Sequence, residues 1–144
     1  MVRHLKDLGH NVHVLFSGAG QGGIWDMKLF DPFTRLKGLT FVTRNGKIDQ
    51  LGTALQLDLK SAFTDIRKFD DGKFDVVLSD FEPLSVRIAK KFSITSIGVS
   101  HQCAFHYGVP KARFNYPGKF VTRVFAPVDI NIGLHWHHFN QPVM

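Results

Sequence analysis

The chain has 144 residues, 44% of them apolar and 21% charged, a single domain's length with enough apolar material for a core, which excludes a disordered chain. A net charge of +6 favours anionic partners such as nucleotide phosphates or an acidic lipid surface. The lone Cys103 excludes an internal disulfide, and the absence of a long apolar run excludes a signal peptide or spanning helix, so a cytoplasmic protein is expected.

In chain order, Val2, Leu5 and Leu8 stand at helical spacing, and Gly9 suits the helix end. Val12, Val14 and Phe16 then alternate as a strand. An α/β domain normally opens with a strand that its helix covers, so a first strand and its loop are expected to precede this helix. Irregular backbone is predicted from there to about Lys37, with a break at Asp31-Pro32. "GLTFVTRNG" reads as a short strand ending in an Asn45-Gly46 turn. Leu51, Leu55, Leu59, Ala62, Ile66 and Phe69 form the clearest amphipathic helix, stopped at Asp70-Asp71-Gly72.

"FDVVLSD" reads as a buried parallel strand, "PLSVRIAKKF" as a helix opened by Pro83, and "ITSIGVS" as a further strand. "HQCAFHYGVPKARFNYPG" is expected to be loop, "KFVTRVFA" helix and "VDINIGLHW" a last strand. The alternation predicts an α/β fold with a mostly parallel sheet covered on both faces. Ligands of such sheets sit beyond the carboxyl ends of the strands, which shortens the list of candidate residues.

The glycine run Gly18-Ala19-Gly20-Gln21-Gly22-Gly23 matches the spacing of a dinucleotide fingerprint. The fingerprint requires a helix at its third glycine and an acidic ribose partner after the next strand. Here the following residues lack a helical period, and the next strand ends in Thr43-Arg44. A loop is the better reading, and a dinucleotide-dependent enzyme is the third-ranked one.

Three groups lie at strand ends. Ser79, Asp80 and Glu82 follow the central strand, where carboxylates accept protons or hold hydroxyls; Asp80 or Glu82 could equally cap the next helix. Ser100, His101 and Gln102 end the next strand, with Cys103 and His106 close behind; a histidine there suits a general base or a hydroxyl ligand. In "GLHWHHF", a continued strand puts His135 and His137 on one face and Trp136 in the core. No third ligand stands at a metal-binding spacing, so no metal is expected.

Lys111, Arg113, Lys119 and Arg123, interleaved with aromatics and free of acids, suit an anionic membrane surface or a solvated helix face. No DNA- or RNA-binding motif accompanies the charge, so nucleic acid is not expected.

"LKDLGHNVHVLFSG" resembles the helix–Gly-His–strand seam of GT-B glycosyltransferases. "FDVVLSDFEPLSVRIAKKFSITSIGVSHQ", with "FAPVDINIGLHWHHFNQPV", is similar to the N-terminal half-domain of a bacterial and archaeal group of these enzymes. The resemblance covers nearly the whole chain, and "SDFEP" followed by "SHQ" is its most specific part.

It implies that residues 1–144 are one Rossmann-like, three-layer domain, the acceptor-side half of a two-domain enzyme whose first strand and C-terminal donor-binding domain lie outside the chain. Asp80 and His101 would then be catalytic candidates, and Ser79, Glu82, Ser100, Gln102 and His106 acceptor-binding ones. The domain itself would bind no cofactor, the nucleotide-sugar donor belonging to the other domain. Transfer needs a base for the acceptor hydroxyl and stabilisation of the departing diphosphate, so the chain alone is expected to be inactive. An open sheet is expected to favour oligomers. The alternative is a stand-alone α/β module that binds an anionic metabolite or a partner protein without catalysis.

Overall fold

The computed structural model describes residues 1–18, 27–39, 42–44, 47–48, 58–110 and 124–144. The chain divides into two compact units, Met1–Lys68 and Phe69–Met144.

In the first unit, helix α1 (Val2–Asp7) ends as its sequence predicts. Gly9 takes φ +84°, its N–H reaches Lys6 O, and the N–H of His10 reaches Leu5 O. This paired closure satisfies the last carbonyls and needs a left-handed residue, which glycine supplies without strain. Strand β1 (Val14–Ser17) follows and pairs in parallel with β2 (Phe33–Leu36), Val14 opposite Phe33.

Strand β2 corrects the expectation of irregular backbone up to Lys37. Asp31-Pro32 ends a 3-10 turn (Met27–Phe30), and the proline stands just ahead of the first paired residue, where its missing N–H costs no ladder bond. Its carbonyl accepts from Val14 N. Phe16 closes the pair by packing edge-on against Phe30 and Phe33, with centroids 5.4 and 6.1 Å away.

Gly38, beside Gly18, has a structural explanation. A Cβ on Gly38 would lie 2.2 Å from Gly18 N, so the two chain segments approach at a distance only glycine permits. The rest of the glycine run, residues 19–26, lies outside the described residues. The described part of the β1–β2 connection holds a 3-10 turn where the dinucleotide fingerprint would continue an α-helix.

Strands β3 (Thr43–Arg44) and β4 (Lys47–Ile48) pair antiparallel; the predicted Asn45-Gly46 turn between them lies outside the described residues. Helix α2 runs Leu59–Lys68, and Asp58 caps it by accepting from Ser61 N at 2.9 Å. The first part of the predicted helix, with Leu51 and Leu55, lies outside the described residues. Lys37 Nζ, 2.7 Å from the Asp58 carboxylate, together with the Ser61 bonds, holds that carboxyl well below the usual range. Ala62 is buried while Leu59 and Phe63 stay exposed, so the predicted apolar stripe is covered only in part.

The second unit is built on a three-stranded parallel sheet, β5 (Val76–Ser79), β6 (Thr95–Ser100) and β7 (Ile130–Gly133), in that order. Helix α3 (Pro83–Lys91) is the crossover from β5 to β6, and a one-turn helix α4 (His101–Ala104) follows β6 directly. Residue alternation assigns Ser79, Ser96, Gly98, Ser100 and Gly133 to one face.

Both helices pack on that face. A Cβ on Gly133 would lie 2.5 Å from Ala104 Cα, and one on Gly98 would lie 2.7 Å from Cys103 Sγ. Small residues on the sheet are therefore what allow α4 to sit so close. The opposite face carries Val76, Leu78, Ile97, Val99, Ile130 and Ile132. Val76, Leu78 and Ile130 are 43%, 38% and 48% exposed. Among the described residues of this unit, helices α3 and α4 cover one face of the expected parallel sheet.

Three further details fix this frame. Helix α3 buries Leu84, Val86, Ile88 and Ala89. It ends in the same closure as α1, with Ser93 at φ +58° in the glycine position. Asp129 pins the start of β7: its carboxylate accepts from Ser96 N at 2.8 Å and Ser96 Oγ at 2.7 Å. These bonds lower its pKa.

Candidate functional site

The carboxyl ends of β5, β6 and β7 lie side by side, Ser79 opposite Gly98 and Ser100 opposite Gly133. Two kinds of strand end are found there.

At the end of β5 the polar groups are consumed internally. Phe81 adopts φ +50°, a left-handed conformation rarely tolerated by a bulky residue, and so turns the chain sharply into α3. Its ring rests on Phe125 at 5.2 Å, and Arg87 Nη1 donates to both Pro83 O and Phe125 O. Glu82 is the N-cap of α3: Oε1 accepts from Leu84 N and Oε2 from Ser85 N. An acid placed there satisfies free N–H groups at the positive end of the helix.

Ser79 is buried, 3% exposed, and its hydroxyl donates to Glu82 O while accepting from Glu82 N and Ser85 Oγ. Ser79 and Glu82, expected among the acceptor-binding residues, are bonded within this turn. Asp80 alone of this group is exposed.

At the end of β6, Ser100 is 1% exposed and caps α4, accepting from Cys103 N and donating to Cys103 Sγ. It too is structural, and it begins a helix inside the segment expected to be loop. Cys103 is buried. His101, one residue on, is exposed, and its Nδ1 lies 3.0 Å from Leu134 O. A carbonyl only accepts, so Nδ1 carries a proton, and the ring in its neutral form presents Nε2 as the lone pair. Gln102 is half-buried and His106 exposed.

Strand β7 stops at Gly133, and this corrects the alternation expected for residues 135–138. Leu134 N donates to Ser100 O, His135 N to Met144 O, and Met144 N to Gly133 O. The chain end is thereby held beside the strand end. His135 turns onto His101, ring centroids 5.5 Å apart and nearly parallel, whereas His137 stacks on His138 at 4.9 Å. Trp136, expected in the core, is fully exposed.

His135 Nδ1 accepts from His137 N, so its proton sits on Nε2. His101, Leu134, His135, Trp136 and Met144 line an open cavity of about 370 Å³. His135, weighed in the sequence only as a metal ligand, and Trp136, expected in the core, both line this cavity. The signal that could have found them was Gly133 as a strand stop.

Among the described residues, no group of three or more His, Cys, Asp or Glu is placed to hold a metal ion. No described helix is long and apolar enough to cross a membrane. Lys111, Arg113, Lys119 and Arg123, and with them the predicted helix "KFVTRVFA" up to residue 123, lie outside the described residues.

Comparison with known proteins gives this α/β arrangement a family. The sequence model of glycosyl transferase family 1 matches residues 1–123. The chain belongs to that family. It is thus a GT-B glycosyltransferase domain, in agreement with the parallel α/β fold and with the resemblance carried by "GHNV", "SDFEP" and "SHQ".

The domain is also 35% identical, over 71 residues, to the ribosomal RNA large subunit methyltransferase E of Wolbachia sp. subsp. Brugia malayi (strain TRS). That likeness takes in 49% of this chain, which spans only 32% of the length of that protein. No solved structure matches.

Proposed function

We propose that this glycosyltransferase domain binds the acceptor of a nucleotide-sugar-dependent transfer and that His101 is the base. The observation carrying the reading is the hydrogen bond from His101 Nδ1 to Leu134 O, which makes Nε2 the proton-accepting nitrogen of the neutral ring beside a cavity at the strand ends.

In the transfer, His101 Nε2 takes the proton of the acceptor hydroxyl as its oxygen bonds to the anomeric carbon of the donor. The bond from that carbon to the diphosphate breaks, and its electron pair leaves with the nucleoside diphosphate. Asp80, exposed at the end of the neighbouring strand, is the second candidate for the base. Among the described residues the cavity lining holds no lysine or arginine to neutralise a diphosphate, which supports a reading in which the donor is held elsewhere and residues 1–144 alone transfer no sugar.

The test is a paired titration of the purified chain, with a turnover assay alongside. UDP, UDP-glucose and NADP should leave its amide spectrum unchanged, and no sugar should be transferred. Transfer by the chain alone, or micromolar binding of a nucleotide sugar, overturns the reading; NADP binding would restore the dinucleotide alternative.

A further inference from the structure

The two imidazoles in the cavity are chemically opposite. His101 donates through Nδ1 to a carbonyl and so offers Nε2 as an acceptor. His135 accepts at Nδ1 from a backbone N–H and so offers Nε2–H as a donor. The rings are stacked and line the same space, so a donor and an acceptor stand next to each other. A hydroxyl is the simplest group that uses both, donating to one ring and accepting from the other.

Among the described residues, the remaining lining side chains, those of Leu134, Trp136 and Met144, carry no charge. Such side chains offer no counter-charge to an anionic ligand whose charge would be partly desolvated. Trp136 is fully exposed, and it stands on the rim of a concave surface. A solvated indole there presents a broad apolar face, electron-rich at its centre, that suits the C–H edge of a flat saturated ring. About 370 Å³ lies at the small end of the range for small-ligand sites.

We infer that this cavity is a subsite for one neutral pyranose ring, seated on Trp136 with a hydroxyl shared between His101 and His135. This rests on the reading of the chain as an acceptor domain and narrows it: the acceptor is an uncharged glycoside, not an anionic metabolite. Trp136 and His135 act here as specificity residues, and His101 serves both binding and proton removal.

The experiment uses the full chain carrying Trp25→Phe, so that the emission reports Trp136 alone. Methyl β-glucopyranoside is titrated against methyl β-glucuronide, with two-dimensional amide spectra recorded in parallel. The neutral glycoside should perturb Trp136 with a Kd on the order of 1 mM, and the glucuronide should bind at least about tenfold more weakly. Trp136→Ala, a fully exposed position, and His135→Phe should each weaken binding by about tenfold or more, while His135→Gln, which keeps a donor at the ε position, should retain most of it.

Equal or tighter binding of the glucuronide, or no binding of either sugar, overturns the inference. If the glycoside shifts residues near Asp80 and leaves Trp136 silent, the inference fails and the acceptor-domain reading stands. If Trp136 responds as expected while the chain alone also transfers sugar from UDP-glucose, the subsite stands and the proposed division of labour fails.

Discussion

The ends of β5 and β6 make an instructive pair. Read as sequence, "SDFEP" and "SHQ" are equally chemical, each a small polar residue followed by a titratable one at the mouth of a parallel sheet. In the folded chain, the first spends Ser79 and Glu82 on its own backbone. The second spends only Ser100 and frees His101. The difference lies in what a helix N-terminus demands. It presents unpaired N–H groups, so a carboxylate or hydroxyl arriving there is drawn in as an acceptor. An imidazole one position further along is not needed for the cap, and a carbonyl of the next strand end takes its one proton. Acidic character at a strand end is therefore a poor guide to a site when a helix begins within four residues, as Pro83 follows Ser79.

Substitutions can break or sharpen that contrast. The largest effect is expected at Gly133→Ala, whose new Cβ would fall 2.5 Å from Ala104 Cα and push α4, with His101, off the sheet. A loss of about 1–3 kcal/mol or more in urea unfolding should accompany loss of glycoside binding. Glu82→Ala separates the two strand ends: it should cost about 0.5–2 kcal/mol as a lost cap while glycoside affinity is unchanged. A variant that keeps its stability but not its affinity would return Glu82 to the site.

Asp129 gives a pH signature away from both ends. Its pKa is lowered by the bonds from Ser96, so its contribution to stability is present above the ordinary carboxylate pKa and is lost as pH falls through the lowered folded value. Asp129→Asn should flatten the acid limb of the stability profile in that window, measured by urea midpoints from neutral to acid pH. The smallest change, and the one of opposite sign, is Ser93→Gly at the left-handed end of α3, expected to stabilise by about 0.5–1 kcal/mol with binding untouched.

The sequence was most legible where local chemistry decides the structure. Gly9 ends α1 because its closure needs a left-handed residue, and Pro83 opens α3 because its missing N–H is not needed in the first turn. Legibility failed where distant packing decides. Phe33–Leu36 became a strand by pairing with β1, which nothing in the segment itself announces. Helix α4 is a single turn, too short to show a period, and its cap Ser100 reads equally well as the last strand residue. Trp136 was expected inside because the last strand was expected to continue past it; β7 stops at Gly133, and the chain then leaves the sheet with the indole in solvent. The family was carried by short motifs, whereas the division of roles inside those motifs waited on hydrogen bonds between residues more than thirty positions apart, as with His101 and Leu134.

The central claim, that the site lies at the ends of β6 and β7 with His101 poised as the base, is tested most directly by the tautomers of the histidine rings. A long-range proton–nitrogen spectrum of the chain with labelled histidine, recorded in mildly alkaline buffer, distinguishes a proton on Nδ1 from one on Nε2. The account predicts His101 protonated at Nδ1 with Nε2 bare, and His135 protonated at Nε2. A proton on Nε2 of His101 would contradict it, because the ring could then neither donate to Leu134 O nor accept the acceptor's proton.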